Sequence, residues 1–150
     1  MAMKESVAEI LKRVSEIKSR KEQIETLRKD HNSTLEAVVD ICFNPKHQFV
    51  LPEGDPPYKA QPKESDLQTS LYANVRKFRI FLKDGPYQDM KSIQRESQFV
   101  QFLESLDPDD AKLVLSIKDK KMPYKGITRK LFEEAWPALA STWKTEEKNG

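Results

Sequence analysis

Cysteine, histidine and glycine are all scarce in this 150-residue chain, with one, two and four copies respectively. The single thiol, Cys42, has no partner for an internal disulfide, so a reducing cytoplasm is the expected compartment. So few glycines disfavour barrels and the Gly-rich loops that cradle nucleotides. His31 and His47 stand in no metal-ligand spacing, and a metal site needs several convergent ligands. No apolar run approaches the roughly 20 residues of a membrane span. The charged opening MAMKESVAEILKRV lacks the apolar centre of a signal peptide. The expectations are no cofactor, no metal, no membrane, no small-molecule substrate and no catalysis.

What is present is charge and helical rhythm. Charged residues make up 33% and aromatics 9%, a hydrophilic but foldable composition. The length predicts one helical domain over residues 1–145, with 146–150 a frayed tail. Val7, Ile10, Leu11, Val14 and Ile17 share one helical face. Ser19 with Glu22 and Ser33 with Glu36 read as capping boxes that open a second and a third helix. The second carries Ile24 and Leu27 inward. The third carries Leu35, Val38, Val39, Cys42 and Phe43, and Asn44-Pro45 ends it. Residues 44–65 hold five of the nine prolines, which predicts a long extended loop. Within it, residues 47–51 could make one β-like pairing.

A fourth helix is predicted over 66–83, with Leu67, Leu71, Val75, Phe78 and Leu82 on one face, stopped by Asp84-Gly85-Pro86. A fifth spans 90–106 and buries Ile93, Phe99, Val100, Phe102, Leu103 and Leu106. Asp107, Pro108, Asp109 and Asp110 form a strong start for a sixth, which runs to 117. Ile127, Leu131, Phe132, Ala135, Trp136 and Leu139 mark a seventh, bent or ended by Pro137. The fold class is all-α: an irregular bundle of about seven short helices with one long proline-rich loop.

Candidate chemistry is thin. Cys42 lies on an apolar stripe and reads as a buried, inert thiol. The acids at 107–110 are explained by a helix start. Nucleotidyltransferases use Lys-x-Asp-Gly, but in Phe81-Leu82-Lys83-Asp84-Gly85 the lysine adjoins the aspartate, so the pattern fails.

The joint between the last two helices stands out. From Lys118 to Lys130 there are six Lys/Arg against one Asp, in a chain whose net charge is only +2. Lysines at a helix C-terminus complement its dipole, and Arg129 and Lys130 also suit a solvated face. Density and geometry favour a phosphate contact instead. Lys120, Lys121 and Lys125 flank Gly126, whose missing side chain lets a backbone approach closely. Thr128 adds a hydroxyl, and Tyr124 a ring able to pack on a sugar. Such contacts give affinity without sequence readout. Arg76, Lys77 and Arg79 form a second basic patch, and Lys18, Arg20 and Lys21 a third.

Two stretches carry a family resemblance. ILKRVSEIKSRKEQIETLRKDHNSTLEAVVDICFNP and LDPDDAKLVLSIKDKKMPYKGITRKLFEEAWPAL are similar to the opening and closing segments of one domain. It is the N-terminal, all-helical DNA-binding domain of ATP-dependent DNA ligases of the T-even bacteriophage type. Gly126, Ile127, Lys130, Trp136, Pro137 and Leu139 stand in matching places, and the resemblance covers roughly residues 8–140. In that family the domain grips duplex DNA across the minor groove, mostly through the backbone. Two departures matter: no adenylation-lysine motif follows, and the linker 118–125 is longer and more basic.

The resemblance implies a stand-alone, non-catalytic phage protein that binds duplex DNA phosphates in the host-cell cytoplasm. Its expected contacts are Lys120, Lys121, Lys125, Gly126, Thr128, Arg129 and Lys130, supported by Arg76, Lys77 and Arg79. The alternative is a protein-interaction module that docks on a phage or host replication, transcription or virion protein. Its natural surface would be the 44–65 loop, through Phe49, Val50, Leu51 and Tyr58.

Overall fold

A computed structural model of the chain describes residues 5–52, 56–59, 71–83 and 85–143. The architecture is all-α. Its α-helices are α1 (Val7–Ser15), α2 (Arg20–Lys29), α3 (Ser33–Phe43), α4 (Leu71–Asn74), α5 (Phe78–Phe81), α6 (Ser92–Ser105), α7 (Pro108–Lys118), α8 (Arg129–Ala135) and α9 (Pro137–Ala140). Short 3-10 turns over Val75–Lys77 and Ser141–Trp143 join or extend them. Two of the seven expected helices are subdivided. The predicted fourth becomes α4, a 3-10 turn and α5. The seventh breaks at Trp136, because Pro137 cannot donate an amide hydrogen to a continuing helix.

Helix α7 lies at the centre and touches α1, α3 and α6, while α8 packs on α2. Both helix pairs bury apolar stripes. Val7, Leu11 and Val14 of α1 are fully buried, as are Leu113, Val114 and Ile117 of α7. Phe78 and Phe81 meet Phe99 and Phe102 of α6 with ring centroids 5.1–5.8 Å apart, mostly edge to face. Each such buried ring contributes about 1.5–3 kcal/mol by leaving water.

Polar side chains close the helix ends. Ser6 and Glu9 form a complete capping box on α1. Ser19 Oγ accepts from the Glu22 amide at 3.3 Å. The cap of α3 is Asn32, one residue before the expected Ser33, and its Oδ1 accepts from the Leu35 amide at 2.8 Å. Gln23 is buried in α2 and donates to the carbonyls of Val14 and Ile17, both at 3.1 Å. Val14 O also accepts from the Ile17 amide at 3.1 Å, so the glutamine adds a second donor there, supplies one to Ile17 O and fixes the α1–α2 turn.

Three expectations are corrected. Ile93 is 78% exposed, and the inward position one turn into α6 belongs to Arg95, which is buried. The Arg95 guanidinium donates to the carbonyls of Ile80 (3.1 Å) and Tyr87 (2.6 Å), so it is buried with its hydrogen bonds made. The fourth helix ends at Phe81, not at residue 83, because Leu82 is extended and forms an isolated antiparallel bridge with Phe49. That bridge is the β-like pairing expected of residues 47–51, and residues 66–70 lie outside the described residues. Finally, Phe49, Leu51 and Tyr58 pack against the core rather than facing outward; of the four proposed loop contacts only Val50 is exposed.

Candidate nucleic-acid interface

The basic joint is built differently from its sequence reading. Helix α7 ends in a Schellman arrangement: the Lys120 amide donates to Ile117 O (2.7 Å) and the Lys121 amide to Ser116 O (3.0 Å). The left-handed residue this requires is Lys120, at φ 60°, where glycine is the usual occupant. Its Cβ makes that conformation cost about 1–2 kcal/mol. The side chain offsets it. Lys120 Nζ donates to the carbonyls of Ile41, Asn44 (2.9 Å) and His47 (2.5 Å), all at the C-terminal end of α3 and the turn after it. Lys118 is withdrawn too: its side chain is 3% exposed, and Nζ donates to Pro52 O (3.1 Å) and Asp119 Oδ1 (2.9 Å). Two of the six cations at the joint are therefore engaged inside the fold, and Lys120 is corrected from a ligand contact to an internal cap.

The remaining predicted residues separate. Lys121 is exposed on the rim of an open concavity of about 580 Å³, lined also by Pro45, Gln48, Phe49, Lys118, Asp119 and Lys120. Lys125, Gly126 and Lys130 are exposed but line neither this concavity nor the one beside it. Gly126 has φ +82° and nothing within 4 Å of where a Cβ would stand, so the turn closed by Ile127 N to Tyr124 O (3.1 Å) requires it for its backbone angle. Thr128 Oγ1 is occupied as the α8 cap, accepting from the Leu131 amide at 3.3 Å. Arg129 donates to Glu133 at 3.2 Å and lies over the Trp143 ring, 5.7 Å from its centroid. Arg76, Lys77 and Arg79 are exposed on the 3-10 turn and α5. In the third patch Arg20 is paired with Glu134 at 2.9 Å.

Tyr124 is misplaced for a sugar contact. It is half-buried and lines a separate hollow with Glu5, Glu9, Glu16 and Asp109 among others. Burial and the carboxylates Asp110, Asp109 and Asp107 push its hydroxyl up to about 12. Lys12, Arg13 and Lys112 line the same hollow, so its charge is mixed, and Tyr124 stands apart from the joint's lysines.

Two further cations, Lys46 and Lys83, converge on the same turn as Lys121. Asn44 is buried at the end of α3, and its Oδ1 accepts from the Lys46 amide at 3.0 Å. This Asx-type turn exposes Lys46. The chain then runs into the Phe49–Leu82 bridge, where Lys83 N donates to Gln48 O (2.7 Å) and Val50 N to Phe81 O (2.8 Å). Lys83 is thereby set beside Gln48. Gln88 Nε2 closes the following turn on Lys83 O (2.9 Å) and Gly85 O (3.3 Å). Pro45, Lys46, Gln48, Lys83 and Gln88 line a second open concavity, of about 460 Å³. It shares Pro45 and Gln48 with the first. The result is a two-lobed groove astride one turn, with exposed Lys46, Lys83 and Lys121 around it and no ion pair on any of the three among the described residues. The one acid in its lining, Asp119, is held by Lys118.

A protein-family model matches residues 10–124. The chain belongs to this family, DUF6433, a family of unknown function. No curated protein matches the DUF6433 chain. The matched span takes in Lys46, Lys83 and Lys121 and stops before Lys125, Gly126, Thr128, Arg129 and Lys130. The groove thus lies within the part of the chain that defines DUF6433 membership. In this DUF6433 chain no group of three or more His, Cys, Asp or Glu side chains among the described residues could hold a metal ion. No helix among them is long and apolar enough to cross a membrane.

The signal for Lys46 and Lys83 was readable, though indirect. Each adjoins a helix stop, Asn44-Pro45 or Asp84-Gly85. Stops in a bundle cluster at its ends, but which stops meet depends on the long-range bridge.

Proposed function

We propose that this DUF6433 chain is a non-catalytic DNA-binding protein that holds the phosphate backbone, duplex included, with little sequence preference. The observation that carries the reading is the shared groove: two concavities meeting at Pro45 and Gln48, ringed by Lys46, Lys83 and Lys121. Lysine ammoniums supply charge and hydrogen-bond donors but no planar fork to read a base edge. Phosphate contacts of this kind position a strand and release counterions. Arg76, Lys77 and Arg79 extend the positive field, and Lys120 acts only by holding the α3 end and the α7 end together.

Titration of labelled random duplex against the full chain, at several salt concentrations, tests this. Three phosphate contacts give a log–log salt slope of about −2.7. Lys46→Glu with Lys83→Glu abolishes binding at low salt, and Lys121→Glu weakens it. An absence of binding at low salt, or indifference to all three reversals, refutes the proposal.

A further inference from the structure

We propose that Tyr87 stacks an unpaired base, and that the groove therefore prefers single-stranded DNA to duplex. This rests on the reading of the groove as a phosphate-binding surface.

The large apolar side chains that stand exposed among the described residues are Val50, Tyr87 and Ile93. Tyr87 is the aromatic one, 47% exposed. It is the chain neighbour of Gln88, which lines the Lys46–Lys83 lobe, so the two Cα atoms are about 3.8 Å apart.

Its backbone is also fixed. The buried Arg95 donates to Tyr87 O at 2.6 Å, and the Met90 amide donates to the same oxygen at 3.2 Å. The Gln88 side chain ties the turn back to Lys83 and Gly85. The exposed ring therefore sits on an ordered mount, and little backbone entropy is lost when a ligand meets it.

A ring has no use for the backbone of a duplex, whose bases are already stacked on one another. Beside a lysine-lined track it matches what a single strand offers, phosphates along one edge and open π-faces along the other. The same logic disfavours Tyr124, which is half-buried in a separate hollow. Base stacking tolerates any sequence, which agrees with a groove that has no base-reading arginine fork.

The test uses the full chain, a fluorescent oligothymidylate and a fluorescent hairpin duplex, with binding read by anisotropy at low salt. Wild type binds the oligothymidylate more tightly. Tyr87→Ala and Tyr87→Leu each weaken oligothymidylate binding by about 5- to 150-fold, as expected for one lost stacked base, and leave hairpin binding unchanged. Tyr87→Phe, which keeps the ring, stays within about 3-fold of wild type. Melting curves matching wild type certify the fold of each variant. If Tyr87→Ala and Tyr87→Leu bind the oligothymidylate as wild type does, or weaken both ligands equally, stacking is overturned. Lys46→Glu with Lys83→Glu serves as the separate control. Its loss of both ligands upholds the backbone reading whatever Tyr87 does, and its indifference overturns that reading itself.

Discussion

Replacing Lys120 gives the sharpest test of how the basic joint is used. A surface phosphate contact tolerates truncation, with stability changes within about 0.5 kcal/mol. The structure places Lys120 Nζ on three carbonyls instead, Ile41 O, Asn44 O and His47 O. A hydrogen bond from a charged donor is worth about 1.5–3 kcal/mol, and carbonyls that lose it regain part of that from water. Lys120→Ala keeps the left-handed strain at φ 60° and loses all three bonds, a net cost of about 3 kcal/mol. Lys120→Gly loses the same bonds but relieves about 1 kcal/mol of strain, so it is the less damaging of the two. For a domain of this size each kcal/mol moves the melting midpoint by about 2–4 °C. Thermal unfolding followed by circular dichroism then ranks wild type above Lys120→Gly above Lys120→Ala, with Ala about 6–12 °C below wild type. Lys121→Ala, the neighbouring control, stays within about 2 °C. A Lys120→Ala protein that melts with Lys121→Ala, or below which Lys120→Gly falls, refutes the cap.

Other perturbations reach different parts of the molecule. A Cβ on Gly85 would stand 2.1 Å from Arg79 O and 3.2 Å from Leu82 O, both backbone atoms, so Gly85→Ala forces the 83–88 turn off α5. It should lower stability by about 1–3 kcal/mol in urea melts and weaken DNA binding by misplacing Lys83; a neutral result sinks the rigid-turn account. Gln23→Ala takes the side-chain donor from Ile17 O and leaves Val14 O only its backbone donors, and should cost about 1–3 kcal/mol, read by the same melts. Asp110 is buried and accepts from the Ala8 amide at 3.1 Å. Burial, with Asp107, Glu9 and Asp109 adding to it against the Ala8 hydrogen bond, pushes its carboxyl up to about 7 from 3.8. Between those values the folded state binds the extra proton, so this group's contribution is largest below about pH 4 and is lost as pH rises to about 7. Asp110→Asn should flatten that fall in denaturant midpoints between pH 5 and pH 8, and an unchanged slope rejects the assignment. Burial pushes Asp40 up as well, but hydrogen bonds with His47, Trp143 and Asn44 outweigh it and leave its carboxyl below 3.8, so its own loss of stability lies on the acid side of that window.

The helices were legible because each rests on local chemistry. Stripes at spacings of three and four, Ser and Asn caps, and Pro137 act within a few residues, and the observed elements follow them. Arg95 was not legible. Nothing local marks an arginine as buried; it is buried because Ile80 O and Tyr87 O, up to 15 residues away in the chain, have carbonyls for it. Ile93 was then assigned its place on hydropathy alone and turned outward. The fourth helix failed at its end for a similar reason: the partner of Leu82 is Phe49, across the proline-rich loop. The candidate site shared this fate. Charge density located the joint, and Lys121 came with it. Lys46 and Lys83 needed the bridge that brings their two turns together.

Side-chain chemistry explains which cations were left for a ligand. Arginine forks bind carbonyl and carboxylate pairs with fixed geometry, and the fold uses four of them so. Arg13 holds Glu5 and Asp30, Arg20 holds Glu134, Arg28 holds the carbonyls of Glu134 and Ala135, and Arg95 is buried. Two lysines are drawn inside: Lys120 onto the carbonyls at and after the end of α3, and Lys118 onto Pro52 O and Asp119. The groove keeps Lys46, Lys83 and Lys121, compact and strongly hydrated charges on flexible stems. Such charges shed little water on meeting a phosphate and impose no angle on it. A surface left with them is suited to a polyanion held loosely and without regard to sequence, and its affinity must then collapse with added salt. A surface suited to one specific acidic peptide would instead have kept an arginine fork facing outward at the same turn. Putting one there, by Lys83→Arg, should therefore leave the salt slope unchanged, because the count of neutralised phosphates stays the same. A slope that changes by a full contact would mean that the geometry of the cation, not its charge alone, is being read.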